Sequence, residues 1–185
     1  PRGCLPEVRR FFQNHGTHFS LRDRRNRGQR IAVDFDGILR GEQEAAVDTL
    51  LKKDFGVLAA RTAFGKTVVA AAMIARRAVN TLVLVHRRQL MDQWSERLQQ
   101  YLGLEARAIG HLGGGRRKLK GQVDIALLQS LVRKGVVDDR IADYGHVIVD
   151  ECHHVSARSF ELALRRAKAR FILGLSATVT RKDGH

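Results

Sequence analysis

This 185-residue chain contains only two cysteines and two prolines, and it has no apolar run near the ~18 residues that a membrane-crossing helix needs. Cys4 and Cys152 cannot form a disulfide framework, so a reducing compartment is expected, with the cytoplasm as the location. The first ten residues are Arg-rich and lack an apolar stretch, so no secretory leader is read there. The chain starts at Pro1 without Met and stops at His185, and it reads as a piece of a longer protein. Acidic residues are scarce: 19 Asp and Glu face 33 Lys and Arg, a net charge of +14. That excess favours a polyanionic partner, nucleic acid before membrane. With 44% hydrophobic residues the chain can still bury a core, which excludes a disordered basic tail.

Hydrophobic periodicity divides the chain near residue 38. Residues 6–16 read as a short helix with Val8, Phe11 and Phe12 on one face. Residues 18–22 and 31–35 alternate apolar and polar, with the polar tract 23–28 as a hairpin tip between them. Residues 1–38 are therefore expected to form a small helix-plus-hairpin element docked on the rest. From residue 39 helices alternate with short apolar strands. Strands are expected at 56–60, 81–85, 107–109, 123–127, 146–149 and 171–175. Helices are expected at 42–53, 66–79, 88–102 and 156–167, the last with a Ser cap. Such apolar strands imply an α/β fold whose parallel sheet is covered by helices on both faces. Leu90, Trp94, Leu98 and Leu102 share one helix face, and Trp94 is assigned to the core.

Three short motifs carry chemistry. Ala60-Arg61-Thr62-Ala63-Phe64-Gly65-Lys66-Thr67 joins a strand to a helix, the setting of a phosphate-binding loop. Backbone N–H groups at the helix start attract phosphate, Lys66 adds a point charge, and the Thr67 hydroxyl can ligate Mg²⁺. The loop departs from the usual pattern, with Ala60 at the first glycine position. The second motif is the strand 146–149 ending in Asp150-Glu151-Cys152-His153-His154, which places two acids at the carboxyl edge of the sheet. Asp150 would hold Mg²⁺ through water, and Glu151 would activate the attacking water. Consecutive Cys152, His153 and His154 suit a zinc site poorly, and Cys152 is read as a small buried filler. The third motif is Ser176-Ala177-Thr178 after the last strand.

In this order the three motifs resemble the first RecA-like domain of a superfamily 2 helicase of the DExH type. The resemblance runs from about Leu39 to His185 and is to the XPB-type and type III restriction-subunit helicases. It is nearest to the helicase region of TOTE conflict-system proteins, through residues 62–67, 84–90, 150–154 and 181–185. It implies a P-loop NTPase that uses ATP and Mg²⁺, with Mg²⁺ shared by Thr67 and Asp150. Lys66, Asp150 and Glu151 would be catalytic, and Thr62, Ala63, Phe64, Gly65, Lys66 and Thr67 would bind nucleotide. Ala63 stands where many relatives have Gly. Leu39-Arg40-Gly41-Glu42-Gln43 resembles a Q-like motif, so Gln43 would read the adenine edge with Arg40 packed near the base. His86, Arg87 and Arg88 resemble a first strand-contacting motif; Gly113 and Gly114 with Arg116 and Arg117, a second; Gln129 and Ser130, a third. Ser176 and Thr178 would couple nucleotide state to strand binding, and His153 would bridge toward a second RecA-like domain that this chain lacks. The implied function is an ATP-driven helicase or translocase motor domain acting on nucleic acid, DNA ahead of RNA. Without the second domain's arginine, the chain alone should turn over ATP poorly. The alternatives are a non-catalytic nucleic-acid-binding module and a different P-loop phosphotransferase. No guanine-reading N-K-x-D segment is present to support a GTPase.

Charge follows these motifs rather than spreading evenly. Residues 71–122 hold 10 basic residues against 3 acidic, whereas 31–70, with the phosphate loop, hold 5 against 6. The pattern is that of a basic nucleic-acid track beside a separate ATP site.

Overall fold

The computed structural model describes residues 4–152 and 157–177. Its centre is a seven-stranded sheet in the order β1-β9-β8-β2-β5-β3-β4. In chain order the strands are β1 (Phe55–Ala59), β2 (Thr81–Val85), β3 (Gly110–Gly113), β4 (Arg116–Lys118), β5 (Val123–Leu127), β8 (His146–Val149) and β9 (Phe171–Ser176). A two-residue pair, β6 (Val132–Arg133) and β7 (Val136–Val137), stands apart as a small hairpin. Neighbours in the main sheet run parallel except β3–β4, which is antiparallel. The sheet is therefore mixed at one edge and parallel elsewhere, the α/β arrangement expected from the apolar runs.

Strand pleating divides the core into two layers. Val83 and Val85 of β2 face one side with Ile125 and Ile148, under α2 (Gly41–Leu51), α3 (Lys66–Arg77) and α4 (Arg88–Leu102). Leu82 and Leu84 face the other side with Ala126, Val147 and Val149, packed by α5 (Leu128–Leu131) and α6 (Ala157–Arg166). Side chains alternate across a strand, so a five-residue apolar run serves both layers. Among the described residues no helix is long and apolar enough to cross a membrane.

Three expectations are corrected. First, 107–109 is not a strand: Ala106–Ala108 is a 3-10 turn, and β3 begins at Gly110. Second, the strand expected to be buried at 56–60 is the sheet's outer edge, with Phe55 and Val57 more than half exposed. Third, residues 18–35 form no hairpin. The helix α1 (Leu5–Asn14) is present, but the chain after it makes only single bridges, Asn26 to Ala169 and Arg30 to Val79.

The alternating apolar residues of that segment serve to dock it instead of pairing it with itself. Ile31, Val33 and Phe35 pack on the first core layer. The Ile31 N–H donates to the Ala78 carbonyl at 3.1 Å, and Asp36 N–H donates to Tyr101 at 2.8 Å, at the ends of α3 and α4. Further back, Asn26 exchanges backbone bonds with Lys168 and Arg170. Gly28 crosses Gly145 so closely that a Cβ on either would fall within 2.7 Å of the other's Cα, so both must be glycine. Arg25 pairs with Asp23 and Asp54. The result is an extended strap across the amino ends of β9, β8 and β2.

Asn80, 2% exposed, holds that strap. Its Oδ1 accepts from Gln29 N–H and Gly145 N–H at 3.0 Å each, and its Nδ2 donates to Asp143 at 3.0 Å. Replacing it strands three backbone groups, the Gly145 N–H buried and the other two half-buried. Asn80→Ala should therefore cost about 3 kcal/mol in urea unfolding and open residues 17–36 to limited proteolysis.

At the same edge His146 is wholly buried, with Nδ1 3.3 Å from Thr81 Oγ1 and its ring edge-on to Phe171. Burial, then the Arg77 charge, pushes it down to about 3. The unfolded chain takes up a proton near pH 6.5 that the fold refuses, so stability is full above that pH and falls as pH drops toward 3. Unfolding free energy should fall from pH 7 to pH 5 with a slope approaching ~1.4 kcal/mol per pH unit, and His146→Leu should flatten it.

Candidate functional site

The parallel strands all deliver their carboxyl ends to one edge, and the motifs collect there. The loop 60–65 leaves β1 and enters α3 through Gly65, whose φ is +88°. A Cβ on Gly65 would sit 2.5 Å from Gln43 Nε2, so both backbone angle and space require glycine there. Ala63 is also left-handed, at φ +70°, a conformation that costs an L-residue roughly 1–2 kcal/mol. Ala63 thus carries a strain that a glycine at this position would avoid. Lys66 Nζ donates to the Ala60 carbonyl at 2.9 Å, curling back over the loop. Thr62 and Ala63 are exposed, and Phe64 and Thr67 are half-buried.

Gln43 is 4% exposed at the start of α2. Its Oε1 accepts from the Arg40 N–H at 2.9 Å, and its Nε2 donates to the Phe64 carbonyl at 2.7 Å. The Arg40 guanidinium donates to that same carbonyl. Both Q-like residues therefore brace the phosphate loop, and their amide and guanidinium groups stand at its rim.

Two strands away, β8 ends in Asp150, which is 7% exposed. Asp150 Oδ1 accepts from the Glu151 N–H at 2.9 Å, and Oδ2 accepts from the Trp94 indole N–H at 2.7 Å. Burial raises the Asp150 pKa, helped by the Glu151 charge; the Trp94 bond and the Lys66 charge oppose the rise. Glu151 is left-handed, at φ +48°, so the chain bends sharply just past the acid. β9 lies between the two motifs and bonds to both: Ala60 N–H donates to the Ser176 carbonyl at 3.0 Å, and Cys152 N–H to the Leu175 carbonyl at 3.0 Å. Ser176 is 3% exposed. Cys152 is half-buried rather than buried, and burial raises its thiol pKa. His153, His154, Thr178, residues 181–185 and the Ser156 cap lie outside the described residues.

The donor set fits Mg²⁺. Thr67 and Asp150 offer hard oxygens, and each Asp150 oxygen keeps a lone pair beyond the one hydrogen bond it accepts. A small cation of this kind is commonly held by one or two protein oxygens plus phosphate and water.

The groups assigned to nucleic acid stand on the other half of the same edge. His86 and Arg87 follow β2, and Arg88 opens α4. The Arg88 side chain lies over Gly114, in the turn between β3 and β4. Gln129 Nε2 donates to the His86 carbonyl at 3.0 Å. His86, Arg88, Gly113, Gly114, Gln129 and Ser130 thus meet around the ends of β2, β3 and β5. Arg116 is ion-paired to Asp92 at 3.6 Å, and Arg117 lies on the opposite face of β4.

Trp94 is in the core, as its spacing predicts, and 2% exposed, but its polar atom has a second role. A buried indole N–H needs an acceptor, and here the acceptor is the acid at the end of β8. Spacing cannot show this, because the two residues are 56 positions apart. Arg88 and Trp94 lie on the same helix, so α4 links the basic half of the edge to Asp150.

This arrangement is a RecA-like fold, a mostly parallel sheet with helices on both faces. Residues 36–181 match the family model described as Type III restriction enzyme, res subunit, and the chain belongs to that family. A protein of Acanthamoeba polyphaga mimivirus named as an ATP-dependent RNA helicase is 30% identical over 82% of this chain and 30% of its own length. A Halobacterium salinarum protein named as a DNA 3'-5' helicase, Rad25, is 36% identical over 89% of this chain and 28% of its own. The chain therefore spans about three-tenths of these relatives. The UvsW helicase of bacteriophage T4 superposes with a TM-score of 0.73, over all of this chain and 73% of that one, at 18% identity, a likeness of fold.

Trp94→Phe keeps the ring but removes the donor to Asp150. It should lower stability by about 1 kcal/mol in chemical denaturation.

Proposed function

We propose that this chain is the nucleotide-binding half of an ATP-driven helicase or translocase acting on nucleic acid, DNA ahead of RNA. The observation that carries the reading is the shared sheet edge: the Lys66–Thr67 loop at β1 and Asp150–Glu151 at β8, with β9 bonded to both. A basic cluster on the same edge, with the family membership, supports a nucleic-acid partner. The Rad25 name supports DNA, and the mimivirus name keeps RNA in the comparison. The reading extends to a DExH-type motor of the TOTE kind, with residues 1–38 as an N-terminal element and 39–185 as the first RecA-like domain.

In this reading the residues have distinct tasks. Thr62, Ala63, Phe64 and Gly65 present backbone N–H groups to phosphate. Lys66 exchanges the Ala60 carbonyl for phosphate oxygen, and Arg40 and Gln43 meet the adenine at the loop's rim. Thr67 and Asp150 would hold Mg²⁺, which when bound supplies charge neutralisation between phosphate oxygens. Glu151 orients the attacking water and takes its proton. Ser176 and Thr178 would couple the nucleotide to strand contacts, and His153 would bridge toward a second RecA-like domain. That domain supplies an arginine to the γ-phosphate, so the 185 residues alone hydrolyse ATP slowly.

In the complete protein Lys66→Ala should abolish nucleic-acid-stimulated ATPase activity. Glu151→Gln should still bind ATP in a filter or fluorescence assay while turnover falls at least ~100-fold. Near-normal turnover by Glu151→Gln removes Glu151 from the water-activating role.

A further inference from the structure

Asp150 is held at its backbone and at both side-chain oxygens. Its N–H donates to the Leu84 carbonyl of β2 at 2.9 Å. Oδ1 accepts from the Glu151 N–H at 2.9 Å, a bond made within the turn that follows β8. Oδ2 accepts from the Trp94 indole N–H at 2.7 Å. Among the described residues this is the only hydrogen bond to the Asp150 carboxylate from another element. A torsion that ends in a planar carboxylate is broad, so strand pairing fixes where the acid stands but not which way its oxygens face. A donor on a separate, rigid element is what fixes that direction.

The fold supplies such an element in α4. β2 pairs with β8, and α4 follows β2 closely in the chain, so the helix packs back over the strands beside Asp150. Met91, Trp94, Leu98 and Leu102 make its buried face, each 5% exposed or less, which leaves the indole no room to turn. The donor is also chemically suited to a neighbour that takes a cation. Indole N–H is a donor without charge and offers no lone pair to a metal. It orients the carboxylate and leaves its negative charge intact, whereas Lys or Arg at position 94 would stand as a rival cation. The ring itself is apolar and keeps water from the back of the acid.

We propose that Trp94 is a positioning residue for the cation site: its indole N–H fixes the direction in which Asp150 takes a divalent ion, and so sets how strongly Mg²⁺ joins the bound nucleotide. Trp94 acts through Asp150. The proposal rests on the assignment of Thr67 and Asp150 to Mg²⁺ above and adds the residue that prepares that site before any ion arrives. Carboxylates that ligate metals are themselves hydrogen-bonded, and removing such a partner costs roughly 10- to 100-fold in metal affinity.

The test uses the complete protein and a fluorescent ADP analogue, titrated in EDTA and across a Mg²⁺ series. In Trp94→Phe the Mg²⁺ concentration that half-saturates the ADP complex should rise ~10-fold or more, while affinity in EDTA stays at the wild-type value. Leu98→Val, a core change on the same helix face, should leave the Mg²⁺ midpoint where it is. The wild type gives a second reading that needs no variant to fold. Trp94 is the only tryptophan of these 185 residues, and after labelling with 5-fluorotryptophan one fluorine resonance should shift when Mg²⁺ joins the ADP complex. That resonance should be the one missing from Trp94→Phe. An unchanged midpoint in Trp94→Phe, an equal rise in Leu98→Val, or no fluorine resonance that responds to Mg²⁺ overturns the positioning role and leaves the nucleotide reading standing. A wild type that binds ADP no more tightly with Mg²⁺ than in EDTA overturns the cation assignment with it, and a wild type that binds no ADP overturns the nucleotide reading as well.

Discussion

The structure depends on parallel pairing of β8 between β9 and β2. Those three strands are short, apolar and almost fully buried, and parallel registers require their carboxyl ends to emerge together. Asp150 cannot move away from the phosphate loop without breaking that pairing, because β9 is bonded to the backbone of both motifs. The hydrophobic layers on either face therefore position an acid and a lysine whose own chemistry favours solvent. The raised Asp150 pKa is the electrostatic cost of that position.

The sheet order then separates two groups of residues along one edge. β1, β9 and β8 carry the proposed nucleotide motifs, and β2, β5, β3 and β4 carry the basic residues. α4 crosses between them, beginning at Arg88 beside Gly114 and reaching Asp150 through Trp94. The opposite edge is closed by the strap through Asn26, Gly28 and Asn80, so the arginines near residues 22–30 lie away from the nucleotide loop.

Much of this was legible in sequence. The helix at 88–102 and the strands 81–85, 123–127 and 146–149 have the bounds that their periodicity predicts. The loop 60–67 and the acids at 150–151 fall where a strand–loop–helix pattern would place them. Two of the three misreadings share one cause. Alternation in 31–35 says that one side of the segment is apolar, but it does not say what that side packs on. The hairpin and the docked strap have the same pattern, and long-range bonds to Ala78, Asn80 and Tyr101 decide between them. The edge position of β1 was hidden for the same reason, since a run of apolar residues looks alike in the middle and at the border of a sheet.

The sequence by itself determined the alternation of helix and apolar strand, the phosphate loop and the acidic pair, because these rest on local periodicity and on residue type. Only the tertiary structure decided which strands are neighbours. From that follow the Trp94–Asp150 bond and the bracing of the loop by Gln43 and Arg40. Each joins residues far apart in the chain, and no local pattern encodes which buried donor will meet which buried acceptor.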